Sequence, residues 1–257
     1  MHDSPSPLTP TLSPADRGEG VRYPGRRPSW LRYAVGIALK DLRIEWHSRE
    51  IIYTMGFLAT LVVLVFSFAF VAGQDAQLGP GTVAGILWVA VLFSGTVALA
   101  RTFDREREGE AIRSLLLSPV PRSAIYAGKL AATACLMFLV ELVVTPLTAV
   151  FFGAPVGAHA PWLALQLLLG TLGFGAAGVV FSAALLRSRS RDALLGALLF
   201  PVVVPVLMAG ARGTTVLLDV DAPDLGSAVF WTRFLAAVDV VFIAVGMWAF
   251  EPVAVGE

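Results

Sequence analysis

Six stretches of about 20 mostly apolar residues dominate this 257-residue chain and decide what it can fold into. A helix needs roughly 20 such residues to cross the ~30 Å hydrocarbon core of a bilayer. The stretches are too long for strands and lack the alternating pattern of an outer-membrane barrel. The sequence therefore predicts an all-α integral membrane protein with six transmembrane helices, at residues 51–72, 82–100, 130–152, 161–186, 193–211 and 229–250.

The composition is that of a chain that faces lipid more than water. Charged residues make up only 15%, against about 25% in soluble domains, which disfavours a soluble enzyme. The formal net charge is zero, so the charge balance gives no sign of nucleic acid as a partner. The single cysteine, Cys135, excludes a disulfide framework, a paired-cysteine haem attachment and a cysteine-rich zinc site.

Lysine and arginine occupy alternate connections between the spans. They cluster within residues 22–49, 101–129 and 187–191, whereas the connections 73–81, 153–160 and 212–228 contain only Arg212. Cytoplasmic loops of membrane proteins collect Lys and Arg. We therefore expect both termini to be cytoplasmic.

The chain divides into a tail and a membrane domain. Residues 1–28 are rich in Pro, Ser, Gly and charged residues and contain too little apolar surface to fold. They are predicted to be a disordered cytoplasmic tail, with a wrongly assigned start codon as the alternative. Residues 29–257 are predicted to form the six-span domain.

The segment before the first span, residues 29–50, has the pattern of an amphipathic helix. Its apolar side chains recur every three or four residues, and its basic side chains fall largely on the other face. A helix of this kind suits the headgroup plane of a membrane. The apolar face consists of Leu31, Val35, Leu39, Leu42 and Trp46.

The longest inner loop, residues 101–129, combines a charge run with a short apolar stripe at helical spacing. A rigid helix with exposed apolar side chains between charges favours a docking element for a cytoplasmic partner. The alternative is a solvated charge run followed by a buried turn. The candidate docking residues are Arg105, Glu106, Arg107, Glu108, Ile112, Leu115 and Leu116.

Two carboxylates lie near the middle of predicted spans, Glu141 in the third and Asp239 in the sixth. An ionisable group at the centre of a membrane helix costs about 2.5–3.5 kcal/mol on insertion scales. Both side chains are therefore expected to face the bundle interior, a water-filled route or another subunit. A structural role and a role in transport remain equally open.

The fourth span carries small residues four positions apart, an arrangement that lets helices approach closely. Packing within the chain is one explanation, and contact with a second copy or another subunit is the alternative. The pairs are Thr171 with Gly175, Gly173 with Ala177, and Gly178 with Ser182.

Motifs for ATP hydrolysis and for metal catalysis are absent from the sequence. Gly128 and Lys129 are followed by Leu130, where a phosphate-binding loop needs Ser or Thr. The histidines are isolated from one another and form no HExxH motif. We therefore predict no catalytic residue, no metal and no directly bound cofactor.

The order of these features resembles a known family, the haem exporter protein B family, from about residue 31 to Glu251. The resemblance is most specific in the middle block. It is carried by Lys40-Asp41-Leu42-Arg43, Glu45, Ser48-Arg49-Glu50, Phe66-Ser67-Phe68-Ala69-Phe70, Leu87-Trp88, Phe93, Gly95, Arg101, Phe103, Glu106, Glu108, Leu115-Leu116-Leu117-Ser118-Pro119, Arg122, Ile125-Tyr126, Gly128-Lys129 and Glu141.

The resemblance implies the permease subunit of an ABC transporter of the bacterial inner membrane that acts in cytochrome c maturation, with ABC-2-type exporter architecture. ATP would be hydrolysed by a separate ATPase subunit that docks at the first inner loop. Haem would be handled by the complex, which also contains a haem-handling membrane subunit and a small accessory subunit. The outer connection 212–228 is expected to reach the haem-handling subunit.

Three other functions remain open at the level of sequence. An ABC export permease for a lipid-linked glycan or a drug shares the fold and the inner loop, so its partners alone distinguish it. A membrane enzyme would need converging polar groups, for which Glu141 and Asp239 are a small set. A structural scaffold would not need so elaborate an inner loop.

Overall fold

A computed structural model describes residues 29–71, 78–103, 120–186, 188, 190–222 and 224–255. Within these ranges the chain is helical, and six of its helices are long and apolar enough to cross a membrane. The expected all-α, six-span architecture is thereby confirmed. The helices are α1 (Trp30–Ser48), α2 (Glu50–Val71), α3 (Pro80–Arg101), α4 (Arg122–Phe152), α5 (Ala160–Ala184), α6 (Arg191–Leu218) and α7 (Leu225–Val255).

The largest difference from the predicted spans lies at the outer end of α6. The sequence suggested an end near Arg212, but the helix continues to Leu218. Its polar residues are satisfied inside the protein: Thr214 Oγ1 accepts a hydrogen bond from Trp88, and Thr215 donates to its own helix backbone. Because α7 also begins early, at Leu225, the expected outer loop 212–228 is wrong, and the connection is the short segment 219–224.

The inner end of α4 also differs from the predicted span. The helix begins at Arg122 rather than at residue 130, so Lys129 lies inside it. Hydropathy alone places the start of the span after the last charge, whereas the charge of Lys129 is here matched by partners within the fold. This helical extension is what brings the inner ends of α1, α3 and α4 together.

Helix α5 lies at the centre of the bundle and packs against α3, α4, α6 and α7. Two thirds of its apolar segment (67%) is buried, against 17% for α2, which packs on α3 and α4 from one side. Small residues make this possible: Gly170 faces the Trp88 ring, Gly173 faces Val206, and Gly178 faces Leu99. The small-residue pattern of α5 therefore serves packing within the chain.

A buried polar network ties the outer halves of α3, α5, α6 and α7 together. Gln166 on α5 donates to the Ala209 carbonyl of α6 at 3.0 Å and accepts from the Thr232 hydroxyl of α7 at 2.9 Å. The hydrogen bond from Trp88 to Thr214 completes the set at 3.0 Å. Satisfied polar groups of this kind fix the register of helices that apolar packing alone leaves free to slide.

The amphipathic helix expected before the first span is present as α1. It packs along the inner end of α4, with the small residues Ala34 and Ala38 buried in the contact. The predicted apolar face points away from the bundle, with Leu31, Leu39 and Trp46 all more than half exposed. A helix with that face uncovered by protein fits the interfacial position expected from the sequence.

Candidate functional site

The candidate docking residues Arg105, Glu106, Arg107, Glu108, Ile112, Leu115 and Leu116 lie outside the described residues. The structure does describe both ends of the loop that carries them. Thr102 and Phe103 follow α3, and residues 120–121 precede α4. How these two ends are held determines how a force on the loop would reach the helices.

The first end is held by Lys129, whose side chain is almost fully buried. Its ammonium group lies 2.9 Å from Asp41 Oδ2 of α1 and donates to the Thr102 carbonyl at 2.9 Å. It also lies 5.1 Å from the centre of the Phe103 ring, a cation–π contact. One buried cation thus connects α1, α4 and the residues that lead out of α3.

The second end is held by the C-terminal part of α7. Arg122, the first residue of α4, pairs with Glu251 at 2.6 Å. Beside this pair the Phe250 ring lies between those of Phe103 and Tyr126, with centroids 6.4 Å and 5.7 Å away. Phe250 therefore touches both ends of the loop at once.

The C-terminus of α3 gathers positive charge. The Leu99 carbonyl accepts hydrogen bonds from the Ser182 hydroxyl at 2.9 Å and from the buried Arg191 guanidinium at 3.3 Å. Cations near the last carbonyls of a helix also interact favourably with its dipole. The inner end of α3 is therefore fixed to α5 and α6 as well as to α1 and α4.

The junction between α1 and α2 is fixed by a buried carboxylate. Glu45 Oε1 accepts hydrogen bonds from the backbone N–H groups of Ile51 and Ile52, at 2.7 Å and 3.1 Å, and so caps the start of α2. Between the helices Arg49 adopts the left-handed conformation, with φ of 55°. The elbow thus has a defined angle, and α1 moves with the first membrane helix.

Glu141 lies in the middle of α4 and is buried against α5. Its Oε1 accepts a hydrogen bond of 2.5 Å from the Thr171 hydroxyl. Its Oε2 is buried and has no hydrogen-bond partner within the described residues. The contact with Thr171 therefore accounts for Oε1, whereas Oε2 has no assigned contact within the described residues.

Asp239 of α7 lies on another side of α5, in contact with Gly173. It is buried, and neither carboxyl oxygen has a hydrogen-bond partner in the described part of the chain. The structure thus places both predicted carboxylates in the bundle interior, one on each side of α5. Across the described ranges, no three His, Cys, Asp or Glu side chains come close enough to share a metal ion.

Sequence reasoning did not predict the burial of three ionic side chains of the described residues at the inner face: Glu45, Lys129 and Arg191. Each lies near the end of a helix or of a predicted span, where charged side chains normally reach water. The one signal in the sequence was that Glu45 is in helical register with the small residues Ala34 and Ala38, which the structure shows to be buried.

Comparison of the sequence with known proteins identifies a family and several relatives. The family model described as CcmB protein matches residues 32–255. The chain is 27% identical over 200 residues to Heme exporter protein B of Pseudomonas aeruginosa, covering 78% of this chain and 88% of the relative. It is 34% identical over 171 residues to Heme exporter protein B of Escherichia coli K12, covering 65% and 75% respectively.

A third relative, Heme exporter protein B of Rhodobacter capsulatus, is 32% identical over 156 residues, which are 60% of this chain and 71% of the relative. The match to the family model begins inside α1 and ends at the last residue of α7. With its six spans, the protein is a multi-pass inner-membrane protein. The chain belongs to the CcmB protein family.

Proposed function

We propose that this chain is the membrane permease subunit of an ABC transporter that acts in cytochrome c maturation. In this proposal a separate ATPase subunit hydrolyses ATP, and the chain couples that reaction to haem export or to release of a haem-loaded chaperone. The family and the name of its relatives, Heme exporter protein B, support the haem-related role. The further partners are a haem-handling membrane subunit and a small accessory subunit.

The observation that carries the coupling role is the way both ends of the loop 104–119 are held. Lys129 fixes the end that leaves α3, and the pair of Arg122 with Glu251 fixes the end that enters α4. A displacement of a loop with loose ends would be absorbed by the loop. With these contacts, it is passed to α1, α3, α4 and α7.

The two histidines that the structure describes, His47 and His159, bear on where haem is held. Histidine is a common haem ligand, and here His159 sits at the outer start of α5, where its Nδ1 lies 3.2 Å from the Leu217 carbonyl. His47, at the end of α1, is likewise turned to its own helix, 3.0 Å from the Arg43 carbonyl. The two histidines therefore lie on opposite sides of the bundle and cannot both bind one haem, which favours haem being held by the partner subunit.

The first experiment is purification of the tagged full-length chain from gently solubilised native membranes, with mass spectrometry of the proteins that accompany it. An ATPase together with a haem-binding membrane subunit is the expected result. An ATPase with glycan- or drug-export components would retain the permease role and refute the haem role. Absence of any ATPase would refute the coupling role.

The second experiment tests the docking residues directly. Replacing Leu115 and Leu116 with Asp is expected to abolish co-purification of the ATPase while leaving membrane insertion unchanged, because it removes the apolar part of the contact. The double variant Leu142→Asn/Val143→Asn would not serve as a control, because both side chains face lipid and polar groups there would disturb membrane insertion. Ser29→Asp, outside the loop and before α1, is the better control and should leave the ATPase bound.

A further inference from the structure

The outer halves of α4 and α5 border a crevice that none of the contacts described above occupies. Its volume is about 260 Å³, and its surface is almost entirely apolar. Leu163 and Leu167 form its buried floor. Leu142 and Ala164 lie at its rim and are exposed on the surface of the bundle that faces lipid. We call it the α4–α5 crevice.

Two of the residues that line this apolar space each carry a buried polar atom without a partner. Glu141 Oε2 and Thr145 Oγ1 are both buried, and neither makes a hydrogen bond within the described residues. The two residues are four positions apart on α4 and therefore share one face of the helix. Buried polar atoms in proteins nearly always have a partner, so a pair that lacks one beside a cavity points to a ligand.

The backbone adds a third polar group at the same place. Pro146, which also lines the crevice, has no N–H and cannot donate to the carbonyl of Leu142 one turn earlier. That carbonyl therefore lacks its usual helical donor. The polar groups of the crevice thus lie on one short segment of α4, and its apolar surface is contributed by both helices.

The volume of the crevice and its depth in the membrane limit the kinds of molecule that it can bind. A cavity of about 150 Å³ is enough to hold benzene, so 260 Å³ accommodates an aromatic ring with several further carbon atoms. A charged group at this depth is costly. A hydroxyl group is neutral and both donates and accepts, so it can bond Glu141 in either protonation state and Thr145 at the same time.

We propose that the α4–α5 crevice binds a lipid-soluble phenol, which enters from the bilayer and places its hydroxyl group between Glu141 Oε2 and Thr145 Oγ1. The apolar part of the molecule fills the space between α4 and α5. This proposal does not rest on the haem-related role, because it is drawn only from contacts within this chain.

Photolabelling tests the proposal with the full-length chain in lipid nanodiscs. The probe is an alkylphenol that carries a diazirine, and the labelled peptides are identified by mass spectrometry. We expect adducts within residues 138–146 and 156–167. Unlabelled 2,6-diisopropylphenol should compete about tenfold better than 1,3-diisopropylbenzene, which has the same shape without the hydroxyl group, as two hydrogen bonds predict.

Variants separate the hydrogen bonds from the shape of the crevice. Thr145→Val removes a hydroxyl that has no partner among the described residues, and should reduce the preference for the phenol severalfold without destabilising the protein. Glu141→Met combined with Thr171→Val replaces a bonded pair by apolar groups and should reduce it further. Thr148→Val is the control, because the Thr148 hydroxyl bonds its own helix at Val144.

Each of three results would overturn the proposal. The first is labelling confined to other segments, and the second is equal competition by the phenol and the hydrocarbon in the unmodified chain. A preference for the phenol that persists in Thr145→Val and in the double variant would also refute the assignment, because the hydroxyl would then be recognised elsewhere.

Discussion

Among single residues, Lys129 shows how strongly the fold depends on a buried charge. Its ammonium group is almost inaccessible to water, and Asp41, the Thr102 carbonyl and the Phe103 ring surround it. Removing one member of a buried ion pair is more damaging than losing a surface pair, because it leaves a charge without its compensation. The neighbouring Lys40 is half exposed and pairs with the same carboxylate at 3.0 Å.

Asp41→Asn is therefore expected to lower the free energy of unfolding by about 2 kcal/mol, between the values typical of exposed and of buried pairs. Lys40→Met should change it by less than about 1 kcal/mol, because an exposed pair contributes little. The measurement is thermal unfolding in detergent, followed by fluorescence-detected size exclusion. Equal effects of the two substitutions would show that Asp41 does not stabilise the buried ammonium group.

Glu141 gives a second prediction at this scale. Glu141→Gln keeps an oxygen that can accept from Thr171, so the protein should accumulate at normal levels. We expect it to impair cytochrome c assembly in cells, because the substitution replaces Oε2, which accepts hydrogen bonds when ionised, by an NH2 group that only donates them. Haem staining of membrane proteins measures the cytochrome c level, and a western blot measures the amount of this chain. Normal cytochrome c levels would assign Glu141 a structural role.

Single residues also show where sequence reasoning stops. The cost of an ionisable group in a membrane helix was enough to predict that Glu141 and Asp239 face inward. The same reasoning fails for Lys129 and Arg191, because a charge near a helix end normally reaches water. Their burial depends on carbonyls and carboxylates contributed by other helices, which no local pattern records.

Among the elements, the existence of each membrane helix was predictable and its ends were not. Apolar length identifies a span, but α6 continues through Thr214 because Trp88 of α3 bonds its hydroxyl. Likewise α4 begins early because α1 supplies a carboxylate for Lys129. Helix ends in this protein are decided by neighbouring helices, and hydropathy measures only the helix itself.

The contact between α1 and α4 depends on Gly128. A Cβ atom at this position would lie 2.7 Å from the Ala34 carbonyl oxygen, a backbone atom that cannot rotate away. Gly128→Val should therefore push α1 off α4 and expose it to trypsin at Lys40 and Arg43. Gly56→Val is the matched control, since a side chain there meets open space. Unchanged digestion of Gly128→Val would show that α1 does not need close approach.

A second close approach occurs where Gly170 faces the six-membered ring of Trp88. Gly170→Ala is expected to lower the melting temperature by several degrees, since added volume in a packed core costs about 1–3 kcal/mol. Trp88→Phe, which removes the ring atoms in question, should cost less stability in the Gly170→Ala background than in the unmodified chain, because the hydrogen bond to Thr214 is lost in both. An additive effect of the two substitutions would contradict this packing.

For the whole molecule, the distribution of charge and the packing lead to one orientation. The buried ionic contacts of α1, α3, α4 and α6 lie on the face where the sequence concentrates Lys and Arg. The other face has short connections and the exposed acidic residue Asp224, whose pKa is lowered by hydrogen bonds from Ser227. The positive-inside rule then predicts that the loop 104–119 lies in the cytoplasm, as the proposed docking of an ATPase requires.

Reporter fusions test this orientation. Green fluorescent protein joined after Glu257 is expected to fluoresce, because it folds in the cytoplasm. Alkaline phosphatase inserted after Asp221, in the connection between α6 and α7, should be active, because that enzyme needs the oxidising periplasm. The opposite pattern of activities would reverse the topology and exclude docking at the loop 104–119.

The separation of α1 from its binding site along the chain has a consequence for biosynthesis. Trp30 of α1 donates a hydrogen bond to Ser123 of α4, which is 93 residues later in the sequence. At about 5–20 residues per second, the ribosome needs roughly 5–19 s to make that partner. During this interval α1 can bind the lipid headgroup region through the apolar face of Leu31, Leu39 and Trp46, which stays uncovered in the folded protein. It then packs against α4 once that helix has been made.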